Sequence, residues 1–427
     1  MSQGTVHVVG AGLAGLSAAV RLVQGGRRVV VYDAAKQAGG RCRSYHDATL
    51  GLTIDNGNHL LLSGNRGALD FAELVGGRGA LTEAAEARFD FADLRSGERW
   101  TLRPNAGRLP WWIFVPARRV PGSRARDYLG PVGILRARPD ATIAQAMACA
   151  GPLYRRLWEP VLLAALNTEV PGASAALAAA ILRETLGAGG EACRPVIATG
   201  GLSAAFVEPA LAFLKGRGAS VRLGTRVRSI ERDGDRATGL VLADGPVEIG
   251  PDDAVIVAVP APVAAELLPG TSVPDEHRGI VNAHFRVLPP AGFPPLLGII
   301  GGTAEWLFAY RDRLSVTISA GDRLFETGRE EIAGRVWAEV ATLTGLPADP
   351  MPAWQIVKEK RATFAATPAN AAKRPRPRTR WANVALAGDW TDTGLPATIE
   401  GAIRSGSVAA TVLQSSNGGG PPFVTKA

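Results

Sequence analysis

Thr5-Val6-His7-Val8-Val9-Gly10-Ala11-Gly12-Leu13-Ala14-Gly15 opens the chain, and Arg28-Val29-Val30-Val31-Tyr32-Asp33 answers it. The first five residues are β-branched and apolar apart from His7, as a short buried strand requires. A glycine turn follows, then an Ala- and Leu-rich helical stretch from Leu16 to Val23, then Gly26 and a second strand closing on Asp33. The order is strand, glycine turn, helix, strand, acid. Each part has a reason if the turn holds a pyrophosphate. Gly10 permits the tight turn, Gly12 lets the backbone approach the phosphates, and Gly15 lets the helix pack on the strand. The helix start around Leu13 and Ala14 presents free N–H groups to the charge. Asp33 lies 23 residues after Gly10, where a carboxylate can accept a ribose hydroxyl. In a chain with 51 glycines the G-x-G-x-x-G pattern alone is weak, and the βαβ setting gives it force. The fold class read from it is α/β with a Rossmann-type dinucleotide domain.

At 427 residues the chain has room for two or three domains, and its 46% hydrophobic and 20% charged composition is that of a globular protein. Cys42, Cys149 and Cys193 are widely spaced, so neither a disulfide framework nor a metal site is expected, and the setting is read as cytoplasmic. The net charge is +8, with basic residues read as scattered except for the run Lys373 to Arg380. No nucleic-acid motif accompanies them. An anionic membrane surface is therefore the expected partner rather than nucleic acid, and the run itself reads as a surface linker. The first strand leaves no room for a signal peptide, and no apolar run is long enough to span a bilayer. Peripheral association is the expectation.

After Asp33 come Gly39-Gly40-Arg41, which suit a loop lying against a cofactor with the guanidinium near its charge. Ile54 to Leu62 places the polar Asp55-Asn56-Gly57-Asn58-His59 between apolar flanks, which alone reads as a hairpin turn. Together with the glycine turn, these motifs resemble the FAD-dependent desaturase and amine-oxidase superfamily. Within it, Asp55-Asn56-Gly57-Asn58-His59-Leu60-Leu61-Leu62-Ser63-Gly64-Asn65 resembles the squalene-associated branch, the hydroxysqualene dehydroxylases of hopanoid biosynthesis. The resemblance covers both ends of the chain well and the middle patchily. It implies FAD, a GR2-like flavoprotein domain from residues 1–65, 191–270 and 381–413, and a discontinuous mixed α+β substrate and membrane-facing domain from 66–190 and 271–380. Residues 414–427 read as a disordered tail.

In the inserted region, Leu109-Pro110-Trp111-Trp112-Ile113-Phe114-Val115-Pro116-Ala117-Arg118-Arg119 suits a membrane interface, and equally a core or lipid tunnel. Ala141 to Leu186 is helical in pattern, interrupted at Pro160 and at Val170-Pro171-Gly172, with Asn167-Thr168-Glu169 read as a helix-ending cap. Val281 to Val287 and Leu314 to Ser319 alternate as half-buried strands, and Arg329 to Thr344 is an amphipathic helix. Near the end, an apolar strand runs into Gly388-Asp389-Trp390, and Pro396 starts a helix from Ala397 to Leu413. Gly401 and Gly406 on that helix would let backbone approach a planar ring. The resemblance implies that Val227 lies beside the adenine and that Asp389 bonds the ribityl-phosphate arm. It also implies that the helix start at Thr398 and Ile399 faces the flavin O2/N1 edge, where the positive dipole end favours the anionic reduced ring.

Three reactions compete. They are reductive dehydroxylation of hydroxysqualene to squalene, desaturation of a phytoene-type carotenoid precursor, and amine oxidation. A lipid carrier without catalysis is the reading from another class, which two intact FAD motifs disfavour. All three reactions take a small molecule, a hydrophobic isoprenoid in the first two, and dehydroxylation also needs an electron donor that the sequence does not identify. Dehydroxylation further needs a proton for the leaving hydroxyl. His59, Glu169, His284 and Asp392 are the candidates, His284 reading also as a core histidine, and the face of Trp390 could stabilise an allylic cation.

Overall fold

The computed structural model describes residues 4–416, so most of the expected tail lies outside the described residues. Strand Thr5–Val9 is the centre of a five-stranded parallel sheet, ordered Ser220–Leu223, Arg28–Asp33, Thr5–Val9, Ala254–Val257, Val384–Leu386. The inner strands Thr5–Val9 and Ala254–Val257 are buried on both faces, which is why they are nearly continuous apolar runs rather than alternating ones. Three distant parts of the chain thus end their strands at one edge, beside Gly10 and Gly388.

The opening helix spans Leu13–Gln24, starting three residues earlier than its composition suggests because it begins directly after Gly12. The closing helix spans Ile399–Ser416 and lies across it. A Cβ on Gly406 would stand 2.1 Å from the Ala14 carbonyl oxygen, and the Ser17 hydroxyl donates to the Ile403 carbonyl at 2.8 Å. Gly406 therefore serves the crossing of two helices and not the approach to a planar ring. Gly401 faces its own turn, with Pro396 O and Thr398 Oγ1 at 3.1 and 3.2 Å from the site of a Cβ.

A second sheet has seven strands, ordered Trp354–Phe364, His277–Phe285, Leu314–Ile318, Trp306–Ala309, Leu296–Ile300, Phe89–Asp93, Arg99–Leu102. Val281, Ala283, Phe285, Leu314, Val316 and Ile318 pack on the helix Arg329–Thr344, as alternation predicts. The opposite face is divided. Asn282, His284, Ser315 and Thr317 make one half polar, and Phe91, Trp100, Trp306 and Phe308 make the other half aromatic, with Phe91 stacked on Trp100 at 5.5 Å.

Pro160 does not break its helix. A π-helical turn at Tyr154–Trp158 runs straight into Glu159–Leu166, with Pro160 in the first turn. Proline has no N–H and its ring collides with the carbonyl one turn back, so a widened turn ahead of it relieves both problems. The same device recurs at Ser203–Val207 ahead of Pro209. Asn167 is the cap expected, in the left-handed region at φ 48°, and it also bonds Thr363 Oγ1 at 3.0 Å and accepts from the Ala320 N–H at 2.7 Å.

The tryptophan pair is split. Trp112 is buried, edge-on to Tyr128 at 5.1 Å, whereas Trp111 is 49% exposed, Phe114 70%, Leu109 81% and Leu129 61%. The basic charge is not scattered either: eight arginines and one acid, Asp127, lie between Arg103 and Arg138.

Two glycines give opposite expectations. Gly406→Val forces a side chain into the Ala14 backbone and should lower unfolding stability by about 1–3 kcal/mol or more. Gly334, inside the helix Arg329–Thr344 with nothing within 4 Å of a Cβ, should gain about 0.5–1 kcal/mol as alanine. Urea midpoints of the apoprotein measure both.

Candidate functional site: a dinucleotide cleft

The glycine turn builds the first wall. Gly10 sits at φ 114° with the Ala258 carbonyl oxygen 2.5 Å from the place of a Cβ, so no other residue fits. Gly12, at the N-cap of the opening helix, is the opposite case: a Cβ there meets nothing within 4 Å. The helix N-terminus, with Leu13, Ala14 and Gly15 as its first residues, therefore opens on empty space, where unpaired N–H groups and the helix dipole favour an anion. Gly39 and Gly40 are brought onto this turn. The Gly39 N–H donates to the Ala11 carbonyl at 2.8 Å, and a Cβ on Gly40 would stand 3.5 Å from the Gly12 Cα.

Asp33 ends its strand as expected and also locks the turn, its Oδ2 accepting the Ala11 N–H at 2.6 Å and its Oδ1 the Ala35 N–H at 2.8 Å. A carboxylate offers about four lone-pair sites, so two remain for a ribose. The chain beside it reaches Val227 through Thr225, whose N–H donates to the Asp33 carbonyl at 2.7 Å.

Arg41 and Asp389 meet from opposite ends of the chain. Arg41 Nη2 donates to Asp389 Oδ1 at 2.7 Å and Nη1 to the Ala362 carbonyl at 2.5 Å. Desolvation works against the Arg41 charge, yet Asp389, with Cys42 and Glu359, holds its pKa above the ordinary value. Its side chain is still 40% open to the cleft. The basic run Lys373 to Arg380 is more than a surface linker. Arg374 is buried and donates from Nη2 to the carbonyls of Asp389 and Thr391 and to Thr393 Oγ1, holding the loop that carries Asp389. Trp390 is no free aromatic face. Its Nε1 donates to the Val259 carbonyl at 2.9 Å and its ring covers Gly388.

Thr398 precedes the closing helix and its Oγ1 accepts the Gly401 N–H at 3.0 Å, while Ile399, the first helical residue, is buried. Glu400 was not anticipated. Buried at 2% exposure, it accepts the N–H groups of Gly67 and Ala68 at 2.9 and 2.7 Å, capping the helix Arg66–Val75, and takes Arg404 Nε at 2.6 Å. Its signal in the sequence was an acid in the first turn of a helix, which suits that helix's own dipole and conceals the partner.

The stretch Asp55 to His59 is not a hairpin turn. Strand Leu52–Asp55 pairs with Ser44–Asp47, whereas Leu60–Leu62 pairs with Pro195–Ile197, so the residues between form a strap joining two sheets. Asp55 accepts Ser44 Oγ and the Leu202 N–H at 2.5 and 2.9 Å, and burial raises its pKa. Asn56 Nδ2 donates to Glu359 at 3.1 Å, and Asn58 Nδ2 donates to Thr317 Oγ1 at 3.1 Å. Asn282 and Thr317, in the polar half of the seven-stranded sheet, hold this strap through Asn58.

The four candidate acids separate. Glu169 is exposed and pairs loosely with Arg278 at 3.5 Å, and Asp392 is exposed. His284 is fully buried, bonded through Nδ1 to Ser315 with Nε2 sealed and unpartnered, and burial lowers its pKa to about 3. His59 stands in the strap, near enough to Arg41 to feel its charge.

An open helix N-terminus, two glycine loops, a cleft arginine and an acid at the strand edge fit a dinucleotide with its two phosphates, and the residues that would hold it are those just described. This is the cleft of a flavin-dependent oxidoreductase. The model of the family described as flavin containing amine oxidoreductase matches residues 13–414. Cyclohexylamine oxidase from Brevibacterium oxydans has the same fold, with a TM-score of 0.70 over 97% of this chain and 100% of that one at 17% identity. The hydroxysqualene dehydroxylases of Rhodopseudomonas palustris and Sinorhizobium fredii are 54% and 52% identical over 410 residues, 96% of this chain and 98% of each relative. The chain belongs to the hydroxysqualene dehydroxylase family, within the flavin containing amine oxidoreductases, and its cofactor is FAD.

Because Gly12 faces open space, Gly12→Val should fold with an unfolding midpoint near that of the wild-type apoprotein and yet purify without flavin colour. Asp389→Ala strips Arg41 of its partner and should purify with at most a small fraction of the wild-type flavin. Visible absorbance per protein reads both, and wild-type colour in Gly12→Val would remove the cofactor from this cleft.

Proposed function

We propose that the chain converts hydroxysqualene to squalene by reductive dehydroxylation, in squalene and hopanoid biosynthesis, using electrons from a donor that remains to be identified. The observation that carries this reading is likeness to the two hydroxysqualene dehydroxylases along 96% of the chain, so that it includes the substrate-facing sheet as well as the cofactor cleft. Bound FAD supplies hydride chemistry at its ring. The chain's own residues supply the setting. Gly12 and the opening helix hold the phosphates, Arg41 and Asp389 fix the middle of the cofactor, and the start of the closing helix steadies negative charge on the ring. On the same face of the seven-stranded sheet as the strap's partners, Phe91, Trp100, Trp306 and Phe308 form an aromatic half whose chemistry suits an isoprenoid chain.

Direction follows from the lipid. A substrate with an allylic hydroxyl offers a leaving group and can accept hydride, whereas a carotenoid precursor offers only C–H bonds and must give hydride up. Anaerobic incubation of the protein with chemically reduced FAD and hydroxysqualene should yield squalene in proportion to flavin oxidised. Desaturation of a phytoene-type substrate without action on hydroxysqualene would give the site to the alternative, a carotenoid desaturase.

Among the described residues no helix is long and apolar enough to cross a membrane. We infer that the chain instead docks on the cytoplasmic face of an anionic bilayer through Leu109, Trp111, Phe114 and Leu129, since its lipid must be collected there. Arg118 lies over Trp111 at 4.8 Å, and Arg108, Arg124, Arg126 and Arg136 of the same segment are exposed, a pairing of greasy and cationic groups that matches an anionic interface. Each ring is worth about 1.5–3 kcal/mol when buried. Trp111→Ser with Phe114→Ser should therefore weaken co-sedimentation with phosphatidylglycerol-containing vesicles by roughly tenfold or more. Added salt should weaken the wild type as well. Equal binding by the double variant would show that the patch faces something other than lipid.

A further inference from the structure

Dehydroxylation consumes one proton per turnover, and the cleft contains few groups that could deliver it. Arg41 is held charged by Asp389. Asp389 is held in that pair, and Glu359 is engaged by Asn56. Cys42 is buried and its thiol is pushed up to about 12 by desolvation. Of the four acids that the sequence offers, Glu169 and Asp392 face solvent and His284 is sealed behind the strap.

His59 differs from all of these. The strap fixes it on both sides, by Asn56 to Glu359 and Asn58 to Thr317 before it and by the strand Leu60–Leu62 after it. Among the described residues its ring has no hydrogen-bond partner, yet neither ring nitrogen is sealed as His284 Nε2 is. A rigidly mounted imidazole, half-buried, with both nitrogens free beside the engaged side chains of Arg41, Asp389 and Glu359, is placed to bond something that enters the cleft. Resting on the functional reading above, we propose that His59 is the general acid of the reaction. The C–O bond breaks with its electron pair going to oxygen. One ring nitrogen of the His59 imidazolium passes its proton to that oxygen, which leaves as water. Reduced FAD held in the cleft would supply the hydride for the new C–H bond, and the imidazole is left neutral to take its next proton from solvent.

Charge explains why the histidine is held in reserve. Desolvation first, and then Arg41, lower its pKa to about 4, so the imidazole is neutral at neutral pH when the cleft holds only protein. The other charged groups near the cleft are Asp389, Glu359 and Arg361, with His277 close by and itself held down by burial. An anionic dinucleotide neutralises Arg41 and adds negative charge, and both effects favour the imidazolium. A group whose pKa rises on binding takes up a proton, so FAD affinity should increase as pH falls through the mildly acidic range.

The test uses full-length protein reconstituted with FAD. Calorimetric titration of apoprotein with FAD, in two buffers of different ionisation heat, should show proton uptake by the wild type at mildly acidic pH that His59→Gln lacks. His59→Gln should keep its flavin content and visible spectrum and lose about 10²–10⁴-fold in hydroxysqualene turnover. Free imidazole should restore part of the turnover of His59→Ala. His59→Gln turning over within about threefold of wild type, on a wild type that makes squalene, would overturn the proton assignment alone. Loss of flavin from His59→Gln would also overturn it, since the ring would then be a cofactor ligand. A wild type that leaves hydroxysqualene untouched would overturn the functional reading and the assignment with it.

Discussion

The opening and closing helices touch where Gly406 carries no side chain, and the cofactor cleft depends on that contact. With the Ala14 carbonyl oxygen only 2.1 Å from where a Cβ would be, the two backbones approach as closely as they can, and the Ser17 hydroxyl ties them to the Ile403 carbonyl. The closing helix is thereby held so that its own start, at Thr398 and Ile399, lies at the same end of the parallel sheet as Gly12. Two helix N-termini then converge on one cleft, each with unpaired N–H groups, and a molecule with phosphates at one point and an anionic ring at another satisfies both.

The seven-stranded sheet solves a different problem. Its inward face is polar where it meets the strap and aromatic elsewhere. Alternation along each strand gives the inward positions, and the change from Asn282, His284, Ser315 and Thr317 to Phe308, Trp306 and Phe91 across the strands divides that face into a polar and an aromatic half. Buried polar groups are costly unless paired, so the strap and the polar half require each other. That mutual requirement keeps His59 fixed without giving its ring a hydrogen-bond partner among the described residues.

Arg374 and Glu400 show how the loop and helix near the flavin are fixed from outside the glycine motifs. Arg374 gathers the carbonyls of Asp389 and Thr391, and Glu400 caps a helix that begins more than three hundred residues earlier in the chain. Each is a buried charge with two hydrogen bonds to backbone, and backbone partners leave no trace in residue types.

The sequence alone determined the parallel sheet, the glycine cradle and the acid at its edge, because these depend on local features: β-branched runs, glycine at a positive φ, and spacing within one βαβ unit. It also determined the helix Arg329–Thr344, whose amphipathic pattern is local. Only the tertiary structure decided that Asp55 to His59 is a strap and not a turn, that Trp111 and Trp112 part company, that Gly406 meets a helix and not a ring, and that Glu169 and Asp392 are exposed while His284 is buried. Those outcomes depend on which segment lies opposite, and a residue's own identity is compatible with several neighbours. Asn58 would read alike in a solvent-exposed turn and against Thr317 of a buried strand. The choice between them is made by the desolvation of its amide, which exists once the sheet has closed over it.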